Sequence, residues 1–276
     1  MRATRFLNIF LSAAFVLLIS SCASLSRSGV GRIKRYTVES ARLPESFDGT
    51  RIAFVSDLHY PSLFSAKRLR RLTRKLSDVG ADIVAFGGDY LASPQCANVL
   101  FSSFSSLKTT YGKFAVCGNH DYKIYPTLLA ESKRNGVVLL ADSAVYLSCG
   151  GDSIAVMGVR NSFRCDSAAL AMLATQPADL FTVLLAHTPD FAQDAGAECD
   201  LVLSGHTHGG QVTFLGLYTP VKNTKYGKRF LRGLNFTDKG VPVITTNGVG
   251  TSRRRVRWCA SSEIVVVTLK SVSQHL

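Results

Sequence analysis

Five apolar runs in this chain stop at residues able to bind metal, and that repetition constrains the fold more than any other feature. Ile52-Ala53-Phe54-Val55 ends at Ser56-Asp57-Leu58-His59, Asp82 to Phe86 at Gly87-Gly88-Asp89, and Lys113 to Cys117 at Gly118-Asn119-His120-Asp121. Phe181 to Ala186 ends at His187, and Leu201-Val202-Leu203 leads into Ser204-Gly205-His206-Thr207-His208-Gly209-Gly210-Gln211. Short apolar runs bounded by turn residues read as buried strands. In extended chain, residues two apart point to the same side, so His206 and His208 can face one site. Taken alone, two surface histidines on a loop explain that pair equally well. Five such endings do not arise by accident, because α/β sheets build their sites beyond the carboxyl ends of strands.

Helical patterns separate the runs. Ser65 is positioned to cap a helix running to about Val79, with Leu69, Leu72, Leu76 and Val79 on one face. The opposite face carries Lys67, Arg68, Arg70, Arg71, Arg74 and Lys75. A solvated surface explains such a run, and contact with anionic lipid headgroups is the sharper alternative. Further helices are expected through much of Gln95 to Thr109, over Thr127 to Arg134 and near Ser167 to Ala174. Strands are expected at Tyr36 to Glu39, Val137 to Leu140, Val145 to Leu147, Ile154 to Met157 and Val265 to Leu269. The expected class is α/β, a four-layer α-β-β-α sandwich with the metal site at the carboxyl ends of its strands.

The first residues follow different rules. Arg2 and Arg5 precede an uncharged apolar segment from Phe6 to Ile19, which is shorter than the ~20 residues a bilayer span requires. Leu18-Ile19-Ser20-Ser21-Cys22 then resembles the lipobox of bacterial lipoprotein signal peptides, with Cys22 as the acylated residue. An uncleaved signal anchor, stretched to Leu25, is the alternative. Both readings attach the protein to a membrane with its body outside the cytoplasm. The expected organisation is a leader over 1–22, a tether and opening strand over 23–49, with 23–34 as tether, and one domain over 50–270. Beyond Cys22 the chain has Cys96, Cys117, Cys149, Cys165, Cys199 and Cys259, without metal-type CxxC spacing, so isolated buried thiols are expected.

The formal net charge is +13. That excess favours an anionic partner, and export makes nucleic acid the least expected one. From Tyr218 to Phe236 aromatics alternate with Lys222, Lys225, Lys228, Arg229 and Arg232, and Arg253-Arg254-Arg255-Val256-Arg257-Trp258 follows. Such loops suit a phosphate or lipid headgroup, although a solvated basic surface accounts for most of them.

The blocks Asp57/His59, Gly88/Asp89, Gly118-Asn119-His120-Asp121, His187 and Gly205/His206/His208 resemble, in order, those of the calcineurin-like metallophosphoesterase superfamily. The Gly-Gly-Gln after His208 and the closing strand are similar to a membrane-associated branch. That branch includes bacterial phosphodiesterases and UDP-2,3-diacylglucosamine pyrophosphatases. The resemblance implies two divalent ions, Mn, Fe or Zn. Asp57, His59, Asp89 and His208 would hold one, and Asp89, Asn119, His187 and His206 the other, with Asp89 bridging. It also implies that bound metal makes hydroxide available near neutral pH. His120 would protonate or stabilise the leaving oxygen, with Asp121 orienting it or merely serving as a helix N-terminal acid. One departure is Arg160-Asn161, where many relatives carry an acidic residue; it bears on substrate choice. The expected substrate is an anionic phosphodiester or pyrophosphate, lipid-linked or nucleotide. UDP-2,3-diacylglucosamine is one alternative, and a non-catalytic lipoprotein scaffold keeping the fold is another.

Overall fold

The structure is a computed structural model that describes residues 29–214 and 217–272, with the backbone of 23–24. The expected leader over 1–22, Cys22 included, lies outside the described residues. In chain order the strands begin with β1 (Ala23–Ser24), β2 (Arg32–Ser40), β3 (Arg51–Val55), β4 (Ile83–Phe86), β5 (Gly112–Ala115) and β6 (Val138–Leu139). They continue with β7 (Ser143–Cys149), β8 (Asp152–Gly158), β9 (Phe181–Leu185) and β10 (Leu201–Ser204). The last four are β11 (Gly233–Phe236), β12 (Pro242–Thr245), β13 (Arg257–Trp258) and β14 (Glu263–Ser271). Five α-helices are interspersed among the described residues: α1 (Ala66–Val79), α2 (Ala97–Ser105), α3 (Tyr125–Arg134), α4 (Ser167–Ala174) and α5 (Asp190–Asp194).

Two six-stranded mixed sheets face each other, one ordered β2-β14-β3-β4-β5-β6 and the other β11-β12-β10-β9-β8-β7. Side-chain alternation explains the layering. On β3, Ala53 and Val55 enter a core shared with α1, α2 and α3, whereas Ile52 and Phe54 enter the core between the sheets. On β10, Leu201 and Leu203 fill the inter-sheet core while Val202 packs into a third core with residues of α4 and α5. Strands buried on both faces must be apolar at every position, which is why they read as continuous runs rather than alternating ones. The expected α-β-β-α sandwich is the observed architecture.

The first helix follows its sequence signals closely. Ser65 Oγ accepts from the Arg68 N–H at the start of α1, and Gly80 closes it in the left-handed conformation. Leu69, Leu72 and Leu76 are buried, each contributing about 1.5–3 kcal/mol. Three expectations need correction. Residues 32–34 belong to β2 instead of a tether, because β2 runs parallel to β14 over nine residues. Arg68 and Arg257 are buried, not solvated basic groups, since both guanidiniums are consumed by backbone carbonyls. Of the thiols, only Cys117 and Cys199 are buried, and Cys165 is exposed. No helix among the described residues is long and apolar enough to cross a membrane.

Candidate metal centre

β3, β4 and β5 deliver Asp57/His59, Asp89 and Asn119/His120 from one sheet, and β9 and β10 deliver His187 and His206/His208 from the other. The site therefore straddles both sheets at their carboxyl edges. Two groups of ligand-capable atoms converge, Asp57/His59/His208 and Asp89/His187/His206, each within 4.8 Å, and a third, His59/Asp89/His120, joins Asp89 to the first. Asp89 Oδ2 is the shared atom, 3.5 Å from His187 Nε2, 3.7 Å from His59 Nε2 and 4.0 Å from His120 Nε2. Asp57 Oδ1 lies 3.4 Å from His208 Nε2, which is 3.3 Å from His59 Nε2.

The His-Thr-His segment is not extended. His206 and His208 take φ of 65° and 52°, and the two rings diverge into different groups. Five of the ten described non-glycine residues with positive φ are Asp57, His59, Asp89, His206 and His208. Left-handed backbone costs about 1–2 kcal/mol per residue for an ordinary side chain, so the fold spends stability to aim these groups. Their glycine neighbours are explained by crowding. A Cβ on Gly205 would stand 2.1 Å from Ser56 Oγ and 2.5 Å from Asp57 Oδ2, and one on Gly118 2.2 Å from Asp89 Oδ1.

Backbone donors orient the carboxylates. The His206 N–H donates to Asp57 Oδ2 at 3.1 Å and the His120 N–H to Asp89 Oδ1 at 3.0 Å. His187 Nδ1 lies 2.6 Å from Gly87 O, so this nitrogen donates and Nε2 is turned to the site. Asp57 Oδ1 and His187 Nε2 are buried without a hydrogen-bond partner. Buried polar atoms seldom go unsatisfied, and a cation between these groups would satisfy both. The donor set fits divalent metal.

The electrostatics favour the ligand forms of most of these groups. Burial opposes the charge of Asp57, but His208 and His187 beside it hold its pKa below the usual range. Asp89 is likewise lowered, burial being outweighed by His187 and His59. Burial lowers His59, and takes His206 to about 4 and His208 to about 3, leaving these imidazoles neutral. His187 moves the other way, to about 9: burial opposes its charge, but Asp89 and Asp57 prevail.

Asn119 and His120 stand exposed at the mouth. Asp121 does not reach out to orient His120 or cap the next turn. Its Oδ2 accepts from the Asp89 N–H at 2.6 Å and the Gly118 N–H at 2.8 Å, and its Oδ1 from the Tyr90 N–H at 3.1 Å. Burial and the nearby Asp89 raise its pKa to about 7. It clamps the β4 and β5 loops together. Sequence reasoning missed Phe163, whose ring meets His206 edge-on at 4.8 Å while remaining 42% exposed. It sits just beyond Arg160-Asn161, where Arg160 lies over the Tyr125 ring and Asn161 Oδ1 accepts from Tyr122 OH. No motif marks that aromatic.

A two-sheet sandwich with these groups at its strand ends defines a metal-dependent phosphoester hydrolase. The chain belongs to the calcineurin-like phosphoesterase family, whose model matches residues 50–210. It is 29% identical over 245 residues to the uncharacterized metallophosphoesterase YkuE of Bacillus subtilis, covering 86% of this chain and 85% of that one. It is also 29% identical over 216 residues to the phosphodiesterase YaeI of Escherichia coli, covering 73% and 75% respectively. Among solved structures, a dimetal phosphatase from Danio rerio aligns with a TM-score of 0.49 at 10% identity, over 81% of this chain and 93% of that one.

Proposed function

We propose that this enzyme hydrolyses a phosphodiester or pyrophosphate bond of a lipid-linked or nucleotide substrate, using two divalent ions at a membrane surface outside the cytoplasm. The observation that carries the two-ion part is the pair of buried, unpartnered atoms, Asp57 Oδ1 and His187 Nε2, in two ligand-capable groups that the His59/Asp89/His120 group links. Asp57, His59, Asp89 and His208 would hold one ion, and Asp89, Asn119, His187 and His206 the second. When bound, the ions supply Lewis-acid charge and hydroxide near neutral pH. Mixed nitrogen and oxygen donors suit Mn, Fe or Zn.

The chain's own residues do the rest. Two carboxylates facing two divalent ions leave net positive charge for a phosphoester anion. His120, its side chain 56% exposed at the mouth, is placed to give a proton to the departing oxygen. Phe163 walls the mouth beside His206 and offers a face to an apolar or aromatic part of the substrate. The phosphodiesterase name of the Escherichia coli relative supports the diester reading. The membrane part rests on the Phe6–Ile19 segment and Cys22. A scaffold without turnover would have no use for a strained ligand set.

The test is a panel of bis-p-nitrophenyl phosphate, p-nitrophenyl phosphate, UDP-2,3-diacylglucosamine and phospholipids, each with Mn²⁺ or chelator. Metal-dependent diesterase activity that Asp89→Ala abolishes is expected; activity surviving that change overturns the assignment. Mass spectrometry of membrane-extracted protein tests the lipoprotein reading, which an intact Met1 terminus refutes.

A further inference from the structure

Six of the fifteen exposed large hydrophobic side chains among the described residues fall in one place: Val212, Phe214, Leu217, Tyr218, Val221 and Val256. Leu217 is 67% exposed, Tyr218 65% and Phe214 59%. These residues sit on two loops that backbone and side-chain bonds join into a single lip. Gln211 Nε2 donates to Ser252 O at 2.9 Å, and the Ser252 N–H donates back to Gln211 Oε1 at 2.6 Å. The Trp258 N–H donates to Gln211 O, and the Thr213 N–H to Trp258 O, both at 2.9 Å. The Phe214 N–H closes the tip on Tyr218 O at 2.7 Å. Gln211 is three residues from His208, and Thr219 Oγ1 donates toward Gly210 O at 3.2 Å, so the lip is continuous with the turn carrying His206 and His208.

Cations flank the apolar positions along both loops. Between residues 201 and 262 the chain carries ten Lys and Arg and a single acid, Asp238. Lys225, Arg229 and Lys239 are paired with Asp194, Asp238 and Glu198. Lys222, Arg253, Arg254 and Arg255 are exposed, and no ion pair among the described residues occupies them. Arg255 donates to Ser62 O, which sets this basic edge beside the start of α1, whose exposed face carries Lys67 and Arg70. The backbone of β1, directly after Cys22, pairs with Trp258 and Arg257 of the same lip.

We propose that this lip docks on an anionic bilayer, with its apolar tip entering the headgroup region and its arginines meeting lipid phosphates. Exposed apolar clusters of this kind mark interaction sites, and a basic rim selects an anionic partner. Aromatic and leucine side chains flanked by cations are what a bilayer interface accepts. The pairing of β1 with Trp258 and Arg257 places residues 23–24, which directly follow Cys22 in the chain, beside this face. The proposal deepens the membrane-surface reading above by naming the face that meets lipid, and its test needs no turnover.

The chain's single tryptophan, Trp258, lies in the lip and reports on it. The full chain is reconstituted into vesicles of phosphatidylglycerol or phosphatidylcholine that carry brominated acyl chains. The expected result is quenching and a blue shift of Trp258 emission in phosphatidylglycerol, much less in phosphatidylcholine, and reversal by salt. Each of Arg253, Arg254 and Arg255 changed to Gln should lower the docked-to-undocked ratio on the order of fivefold. Phe214→Glu with Leu217→Glu should abolish quenching while leaving the melting temperature unchanged. Equal quenching in both lipids overturns the anionic docking. Absence of quenching in both overturns docking altogether, as it would if residues 6–19 or a protein partner covered the lip. Phosphatidylglycerol-dependent quenching in an unmodified chain that shows no metal-dependent diesterase activity would instead refute the catalytic reading alone.

Discussion

Arg257 Nη1 donates to the carbonyl oxygen of His208 at 3.0 Å, with the residue only 1% exposed. The same side chain donates to Ala260 O at 2.9 Å and Gly250 O at 2.9 Å, so one buried cation ties the His206–His208 turn to the loops after β12. Burial lowers its pKa to about 10, which leaves it charged at neutral pH. Arg257 therefore positions His208 without entering the ligand groups. Arg257→Lys keeps the charge but loses the fork, and should weaken divalent-metal binding by about 10–100-fold. Arg257→Met should in addition lower the melting temperature, because several buried carbonyls lose their donor. Calorimetric metal titration beside thermal melts checks both; unchanged metal affinity in Arg257→Lys would refute the positioning role.

Asp121 serves three backbone N–H groups with two oxygens, and asparagine has one acceptor oxygen to offer them. Asp121→Asn should cost about 1–3 kcal/mol per donor left unmet. The expected signature is a lower denaturation midpoint together with weaker metal binding, since Asp89 hangs from the same clamp. A variant that melts normally and loses only the pH dependence of turnover would return Asp121 to the role of orienting His120.

Gly205 has no room for a methyl group between Ser56 and Asp57. Gly205→Ala must push apart the two sheets at the site, because Ser56 follows β3 and Gly205 follows β10. We expect destabilisation of about 1–3 kcal/mol, the range of core overpacking, and loss of divalent-ion binding. Urea denaturation with and without Mn²⁺ measures both. Retained metal stabilisation would show that the approach of these strands is softer than it looks.

Metal-free protein should be most stable near neutral pH. His59, His206 and His208 have folded values below the unfolded value of about 6.5, so their contribution is present above that pH. It is lost as pH falls through about 4 for His206 and about 3 for His208. Asp57 and Asp89, also lowered, lose theirs on the same acid side. Asp121 and His187 are raised, so their contributions, complete at acid pH, fade as pH rises through about 7 and about 9. Thermal melts in chelator across pH 4–9 should show a steep acid limb and a shallower alkaline one. Saturating Mn²⁺ should raise the melting point at pH 7, and that effect should weaken as pH falls through about 4 and about 3, because protons compete for His206 and His208.

The residues of the site were legible because each follows an apolar run, and a strand end is a local property. The helix α1 was equally plain, since Ser65, the leucine spacing and Gly80 all lie within one segment. The strand β2 was read too short because Arg32 to Arg35 look polar, and only its pairing with β14 makes them strand. Arg257 was hidden in a run of arginines whose neighbours are exposed. Nothing in Arg253 to Arg257 says which member turns inward; the carbonyls of His208, Gly250 and Ala260 decide it.

The sequence by itself determined the α/β sandwich, the order of the ligand-capable residues and the glycines between them. Continuous apolar runs and strand-end position are carried by neighbouring residues, so no partner need be known. The tertiary structure decided how the ligand-capable residues divide. His206 and His208, two residues apart, go to different groups because left-handed backbone at each turns their rings apart and the two sheets supply different companions. It also decided that Asp121 faces inward and that Phe214, Leu217 and Tyr218 face out. Those outcomes depend on which distant backbone groups arrive alongside, a matter of packing between sheets that local spacing does not encode.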